Sequence, residues 1–124
     1  MAVIAKVGNP TVTTRTPPAN EQIPGLIAGE ALGSGDVCFV DESDGYVYKA
    51  NGGTDTPRGA TGGIAGLGEA ITLYRNVRFG YGSGLTPGAS VFLGADGALD
   101  DTGVEGATPI GWCVDDQRIQ FTGF

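Results

Sequence analysis

The chain has 124 residues, 40% of them hydrophobic, with 23 glycines, 7 prolines and a net charge of −7. That length supports one domain with a real core, and the glycine load leaves room for strands and turns but not for long helices. Seven basic against fourteen acidic residues speak against binding to nucleic-acid phosphates, and no stretch approaches the ~20 apolar residues that a membrane-spanning helix needs.

Residues 1–24 read as an extended N-terminal arm. Val3, Ile4, Val7 and Val12 are apolar but widely interrupted, and Pro10, Pro17, Pro18 and Pro24 forbid a continuous helix or a central strand. The arm is also the one cationic part of the chain. Residues 1–20 hold Lys6 and Arg15 and no acid, hence +2, whereas the five basic and fourteen acidic residues beyond them leave −9. Its apolar run is too short for a signal peptide, and no small-residue cleavage site follows. Such a segment suits docking onto an exposed sheet edge of a partner.

Residues 25–124 read as a single β domain in which one plan occurs twice. Residues 32–47, LGSGDVCFVDESDGYV, open on Leu32, place Gly35 three residues on, and run through an apolar strand to an Asp44-Gly45 turn. Residues 85–99, LTPGASVFLGADGAL, repeat this with Leu85, Gly88 and Asp96-Gly97. Asp-Gly between apolar runs is a strong hairpin signal, since the tight turn needs a positive φ that glycine adopts without strain. The echo extends to Ala60-Thr61-Gly62-Gly63-Ile64-Ala65-Gly66, which resembles Ala107-Thr108-Pro109-Ile110-Gly111 after the second hairpin.

Between the copies, residues 50–63 form a polar loop with Asn51, Thr54 and Arg58. A loop of this length without structure of its own is commonly functional, and contact with a partner is the expected role. Residues 64–67 read as a short strand. Residues 69–81 alternate, with Ile71, Leu73, Val77 and Phe79 on one face, and read as one period-2 strand or as a hairpin turning near Arg75-Asn76. The last segment goes up through Trp112 and Val114, turns at Asp115-Asp116 and returns through Ile119 and Phe121.

No constellation for catalysis emerges. Histidine is absent, which removes the commonest general base and metal ligand. Ser34, Ser43, Ser83 and Ser90 have no triad partners, and Cys38 and Cys113 have neither a CxxC spacing nor a base to activate them. Buried free thiols in a protein made in a reducing cytoplasm are expected. Asp41, Glu42 and Asp44, like Asp96, Asp100 and Asp101, lack EF-hand spacing and read as solvated turn carboxylates. Tyr46, Tyr48, Tyr74, Tyr81 and Trp112 read as core or interface residues. No enzyme, cofactor or metal is expected.

With the order of elements in place, residues 30–124 resemble the head-decoration, or cement, proteins of tailed bacteriophages. GDVCFVDESDGYVYKA with its glycine-rich loop and GGIAG, then ITLYRNVRFGYG, then GLTPGASVFLGADGAL with IGWCVDDQRIQF carry the likeness. The resemblance implies an all-β fold with a compact β-barrel or β-clip-like body, here built from two degenerate hairpin units with an extended N-terminal arm. It further implies a homotrimer on the outer surface of the capsid, with the major capsid protein as partner, and no nucleic acid or membrane. Val3, Ile4, Lys6, Val7, Val12 and Arg15 of the arm are the expected capsid-binding residues, with Asn51, Thr54 and Arg58 of the loop second. A fibre-associated or receptor-binding β module is the alternative.

Overall fold

A computed structural model describes residues 3–14, 16–103 and 107–124. Among them the regular elements are twelve short strands and one 3-10 turn at Ala19–Glu21, with no α-helix, so the chain is all-β as expected. In chain order the strands are β1 (Val3–Ile4), β2 (Thr11–Val12), β3 (Gln22–Ile27), β4 (Val37–Val40), β5 (Val47–Lys49) and β6 (Gly59–Thr61). They continue as β7 (Ala70–Tyr74), β8 (Arg78–Gly80), β9 (Ser90–Leu93), β10 (Leu99–Asp100), β11 (Gly111–Cys113) and β12 (Arg118–Phe121).

Two antiparallel sheets result. One has the order β3-β7-β6-β4-β5; the other, a curled half-barrel, has the order β2-β8-β12-β11-β9-β10-β1. With the two arm strands set aside, the second sheet is the first with every strand replaced by its counterpart five places on. The duplication read from the hairpins therefore extends to two five-stranded units, and their registers superpose. Val40 pairs with Val47 as Leu93 pairs with Leu99, and Val37 pairs with Ala60 as Ser90 pairs with Trp112.

Two pairs of glycines carry the same duty in both units. Gly45 and Gly97 turn the hairpins with φ of +74° each. A Cβ on Gly59 would stand 2.7 Å from the Tyr74 carbonyl, and one on Gly111 would stand 2.6 Å from the Gln120 carbonyl. These counterparts correct the third sequence echo: Gly59-Ala60-Thr61 corresponds to Gly111-Trp112-Cys113, not to the stretch beginning at Ala107.

The first unit closes on itself. Ala28, just past β3, bridges Val47 of β5 in parallel, and Gly29 N–H donates to the Val47 carbonyl at 2.9 Å. Inside lie Ala28, Leu32, Cys38, Val47, Ala65, Ile71 and Leu73. The second unit stays open, and its concave side holds Val77, Phe79, Val91, Leu99, Ile119 and Phe121, with Phe79 and Phe121 edge to face at 5.4 Å. Val37 and Ala60, on the outer face of the first unit, belong to this same core. The half-barrel thus wraps one face of the closed unit, burying apolar area that neither sheet could bury alone.

Residues 69–81 form neither one strand nor a hairpin. β7 belongs to the first sheet and β8 to the second, so the chain crosses between units at Arg75-Asn76. Alternation reports which face a residue takes, and Ile71 and Leu73 share that parity with Val77 and Phe79 while filling a different core. Glu21 pins the crossing, its carbonyl accepting from Arg75 N–H at 2.9 Å and its carboxylate from Asn76 N–H at 2.8 Å. Residues 64–67 form a loop rather than a strand, with only Ala65 bridging Leu32.

Candidate functional site

The arm lies along its own body. β1 pairs with β10 and β2 with β8, so the arm lines both edges of the second unit, and its 24/25 boundary falls inside β3. Pro24-Gly25 makes a bulge there, tolerable because β3 is the first strand of its sheet. Lys6 bonds the Asp36 carboxylate, whose other oxygen accepts from Gly33 N–H at 2.7 Å. Pro10 packs on Gly35, and Val7 N–H donates to the Tyr81 carbonyl at 3.1 Å.

These contacts divide the expected arm residues. Ile4 and Val12 are partly buried against the second core, and Lys6 is engaged with Asp36. Val3 and Val7 point to solvent, 65% and 60% exposed. Arg15 lies outside the described residues.

In the polar loop, Asn51 is an organiser. Its amide donates to Asp55 Oδ2 at 2.8 Å, its side-chain oxygen accepts from Asp96 N–H at 3.0 Å, and its carbonyl accepts from Thr54 Oγ1 at 3.3 Å. It ties the loop of the first unit to the hairpin turn of the second, helped by Gly52 N–H on the Gly94 carbonyl at 2.8 Å. Arg58 is exposed beside Asp41, Glu42 and Asp55 in a shallow recess of about 440 Å³. Arm and loop meet at one place, where Val3 and Asn51 line a recess of about 230 Å³ with Leu93 and Ala95.

The groups with chemistry in their side chains are tied into structure. Burial pushes the Cys38 thiol up to about 12, with Asp36 and Glu30 adding to the rise, and burial also raises Cys113. Both cysteines are free, one in each core, and neither is an activated nucleophile. Asp41 Oδ1 accepts from Ser43 Oγ at 2.6 Å and Ser43 N–H at 2.8 Å, which holds its carboxyl below the usual range. Asp44 accepts from the Tyr48 hydroxyl at 2.6 Å, raising that phenol to about 12. Among the described residues no group of three His, Cys, Asp or Glu is placed to hold a metal ion.

Three surface features escaped the reading from sequence. Trp112, 40% exposed, stands on the outer face of the second sheet opposite Gln120, which in turn faces Arg78. Ile64 and Leu67 project from the β6–β7 loop, 71% and 73% exposed. A half-open recess of about 310 Å³ lies between the arm and the second unit, lined by Ile4, Val7, Leu85, Ala89 and Cys113 among others. Aligning the two units position by position would have flagged the first two, since Trp112 replaces Ala60 and the GGIAGLGE loop replaces a polar turn.

The chain matches no protein-family model, no curated protein and no solved structure.

Proposed function

We propose that the chain is a capsid-decoration protein of a tailed-phage head, made in the host cytoplasm and bound as a homotrimer to the outer surface of the assembled shell. The observation that carries this reading is the run of glycine-spaced motifs over residues 30–124 that resembles such proteins, from GDVCFVDESDGYVYKA to IGWCVDDQRIQF. Compatible with it are the exposed valines of the arm and the engagement of the polar and thiol side chains described above in structural contacts.

The mechanism is mass action. A protein that binds the mature shell and not its precursors stabilises that state by its binding free energy, and one that bridges several shell subunits adds avidity. Ile4, Lys6 and Val12 are occupied by the chain's own body, so the shell contact falls to Val3, Val7, Thr54 and Arg58, the exposed members of the expected set among the described residues. The major capsid protein is the partner in this reading, with no nucleic acid or membrane involved.

The test is co-sedimentation with undecorated shells. Removal of residues 1–24 would cut into β3, so the comparison uses the full chain against Val3→Asp with Val7→Asp and, separately, Arg58→Glu. Binding by the full chain and loss in the valine variant supports decoration through the arm. Absence of binding by the full chain overturns the reading. It would then favour a fibre-associated or receptor-binding module, with exposed Trp112 or exposed Tyr46 as the aromatic face for a glycan.

A further inference from the structure

The two units act as each other's control, because their strands pair in the same register. Cross-strand neighbours on the outer face of the first unit run Val37, Ala60, Tyr74, Gln22; on the second they run Ser90, Trp112, Gln120, Arg78. The half-barrel covers the first row, with Val37 and Ala60 fully buried in its core and Tyr74 packed against it. The second row has no such cover among the described residues, and Trp112 stands 40% exposed in it. The indole is therefore not there to fill a core.

Beside it the sheet carries a recess of about 310 Å³, lined by Thr13, Thr14, Arg78, Arg118 and Gln120. Gly80, two residues on from Arg78 and paired with Arg118, brings no side chain to this face, where a Cβ would stand 3.2 Å from the Thr13 methyl. The walls are held by hydrogen bonds of their own. Gln120 Oε1 accepts from Arg78 Nε at 3.2 Å, and Gln120 Nε2 donates to the Phe121 carbonyl at 3.1 Å. Thr14 Oγ1 accepts from Arg78 N–H at 2.8 Å, which leaves its hydroxyl proton to donate. Arg118 gives Nε and Nη2 to Asp115 Oδ2 at 2.8 and 2.7 Å. Arg78 has no carboxylate partner among the described residues, so its two terminal nitrogens remain as a fork at the recess.

Two guanidiniums against the Asp115 carboxylate leave +1 here, on a chain of −7. One positive charge suits one carboxylate; a phosphate dianion or a polyanion would meet repulsion from Asp115 and from the rest of the chain. A guanidinium fork takes a planar carboxylate through two parallel hydrogen bonds. Neighbouring strands lie about 4.8 Å apart, so Trp112 and Arg78, with Gln120 between them, stand about 10 Å apart along the row. That spacing brackets one sugar ring, with an apolar face for the indole and hydroxyls for the threonines. An acidic side chain of a partner protein would use the fork and leave the indole and hydroxyls idle.

We infer that this face binds an acidic sugar, a uronic or a sialic acid, with its carboxylate on Arg78 and its ring against Trp112. The site shares no residue with the proposed shell contact, so either can fail without the other.

Trp112 is the only tryptophan of the chain, so its fluorescence reports on this face. The experiment titrates the full chain, at neutral pH and low salt, with glucuronic acid and with N-acetylneuraminic acid. Glucose supplies the ring without the charge, and acetate the charge without the ring. The expected result is a saturable change in emission with an acidic sugar, on the order of ten- to a hundredfold tighter than with glucose, as one charge-assisted fork supports. The binding should weaken as salt rises. A response to one acid and not the other supports the site and identifies its sugar. Arg78→Met should erase the preference for the acid. Thr13→Glu, at an exposed position, sets a like charge at the recess and should weaken the acidic sugars while sparing glucose. No saturable response to either acidic sugar overturns the inference. So does a response of equal strength to glucose or to acetate, and so does unchanged acidic-sugar binding in Thr13→Glu or in folded Arg78→Met.

Discussion

The two five-stranded units share strand order and register but not the way they close. In the first, Ala28 brings the end of β3 directly against Val47, and the sheet becomes a ring. In the second, β8 runs on to Tyr81, whose ring is buried in the core, and among the described residues no bridge joins that end to β10. The second sheet does not close on itself. The arm occupies the opening instead, with Ile4 paired to Leu99, the counterpart of Val47, and Val7 bonded to Tyr81 itself. One unit thus seals itself, and the other takes a further segment along its edge.

Tyr81→Ala should strike hardest at this comparison. Loss of a large buried ring costs about 3–5 kcal/mol, measured by denaturant unfolding, and the arm amides should lose protection beyond the global change. An effect below about 1 kcal/mol would mean that the ring does not anchor the second core where the arm joins it. Next come Gly59→Ala and Gly111→Ala. Each sets a methyl against a backbone carbonyl and should cost about 1–3 kcal/mol, with similar values at the two positions because the contact is the same. A cost at one and none at the other would break the superposition of the units.

Lys6→Met keeps the aliphatic stem but leaves Asp36, nearly buried, with Gly33 N–H as its remaining described donor. The expected loss is about 1–2 kcal/mol by thermal or chemical unfolding, since a charged acceptor is left underpaired. The β11–β12 turn offers a smaller, pH-dependent test. Arg118 and the Gln117 amide hold the Asp115 carboxyl down at about 2, against an ordinary 3.8. A depressed carboxyl contributes its stability above the unfolded value, so this contribution is present above pH 3.8 and fades as pH falls towards 2. Asp115→Asn should flatten the stability profile in that window, with a loss present at neutral pH and absent below about pH 2, and the loss should be small because the pair is exposed and screened.

The hairpins were legible in the sequence because their signal is local: Asp-Gly between apolar runs specifies a turn wherever the rest of the chain goes. The second core was not. Ile71, Leu73, Val77 and Phe79 share one parity, and parity does not say that the chain changes sheets at Arg75-Asn76. The arm's extended form followed from its prolines, but its partners, β8 and β10, lie some 70 to 100 residues away in sequence and leave no local trace. For the same reason the expected site residues divide into exposed Val3 and Val7 and partly buried Ile4 and Val12, a distinction set by strand pairing rather than by residue type. Asn51 was read as a contact residue because its loop is long and polar, and its side chain instead ties that loop to Asp96.

The measurement that bears most directly on the unequal closure is amide hydrogen exchange on the free, full-length chain. The amides to follow are those of Val7 and Thr13, which donate to the Tyr81 and Arg78 carbonyls at 3.1 and 2.7 Å. Protection comparable to that of Tyr81 and Phe121 in the body is the result predicted for an arm that completes the second unit. Exchange at the rate of an unstructured peptide, with the body amides still protected, would contradict it.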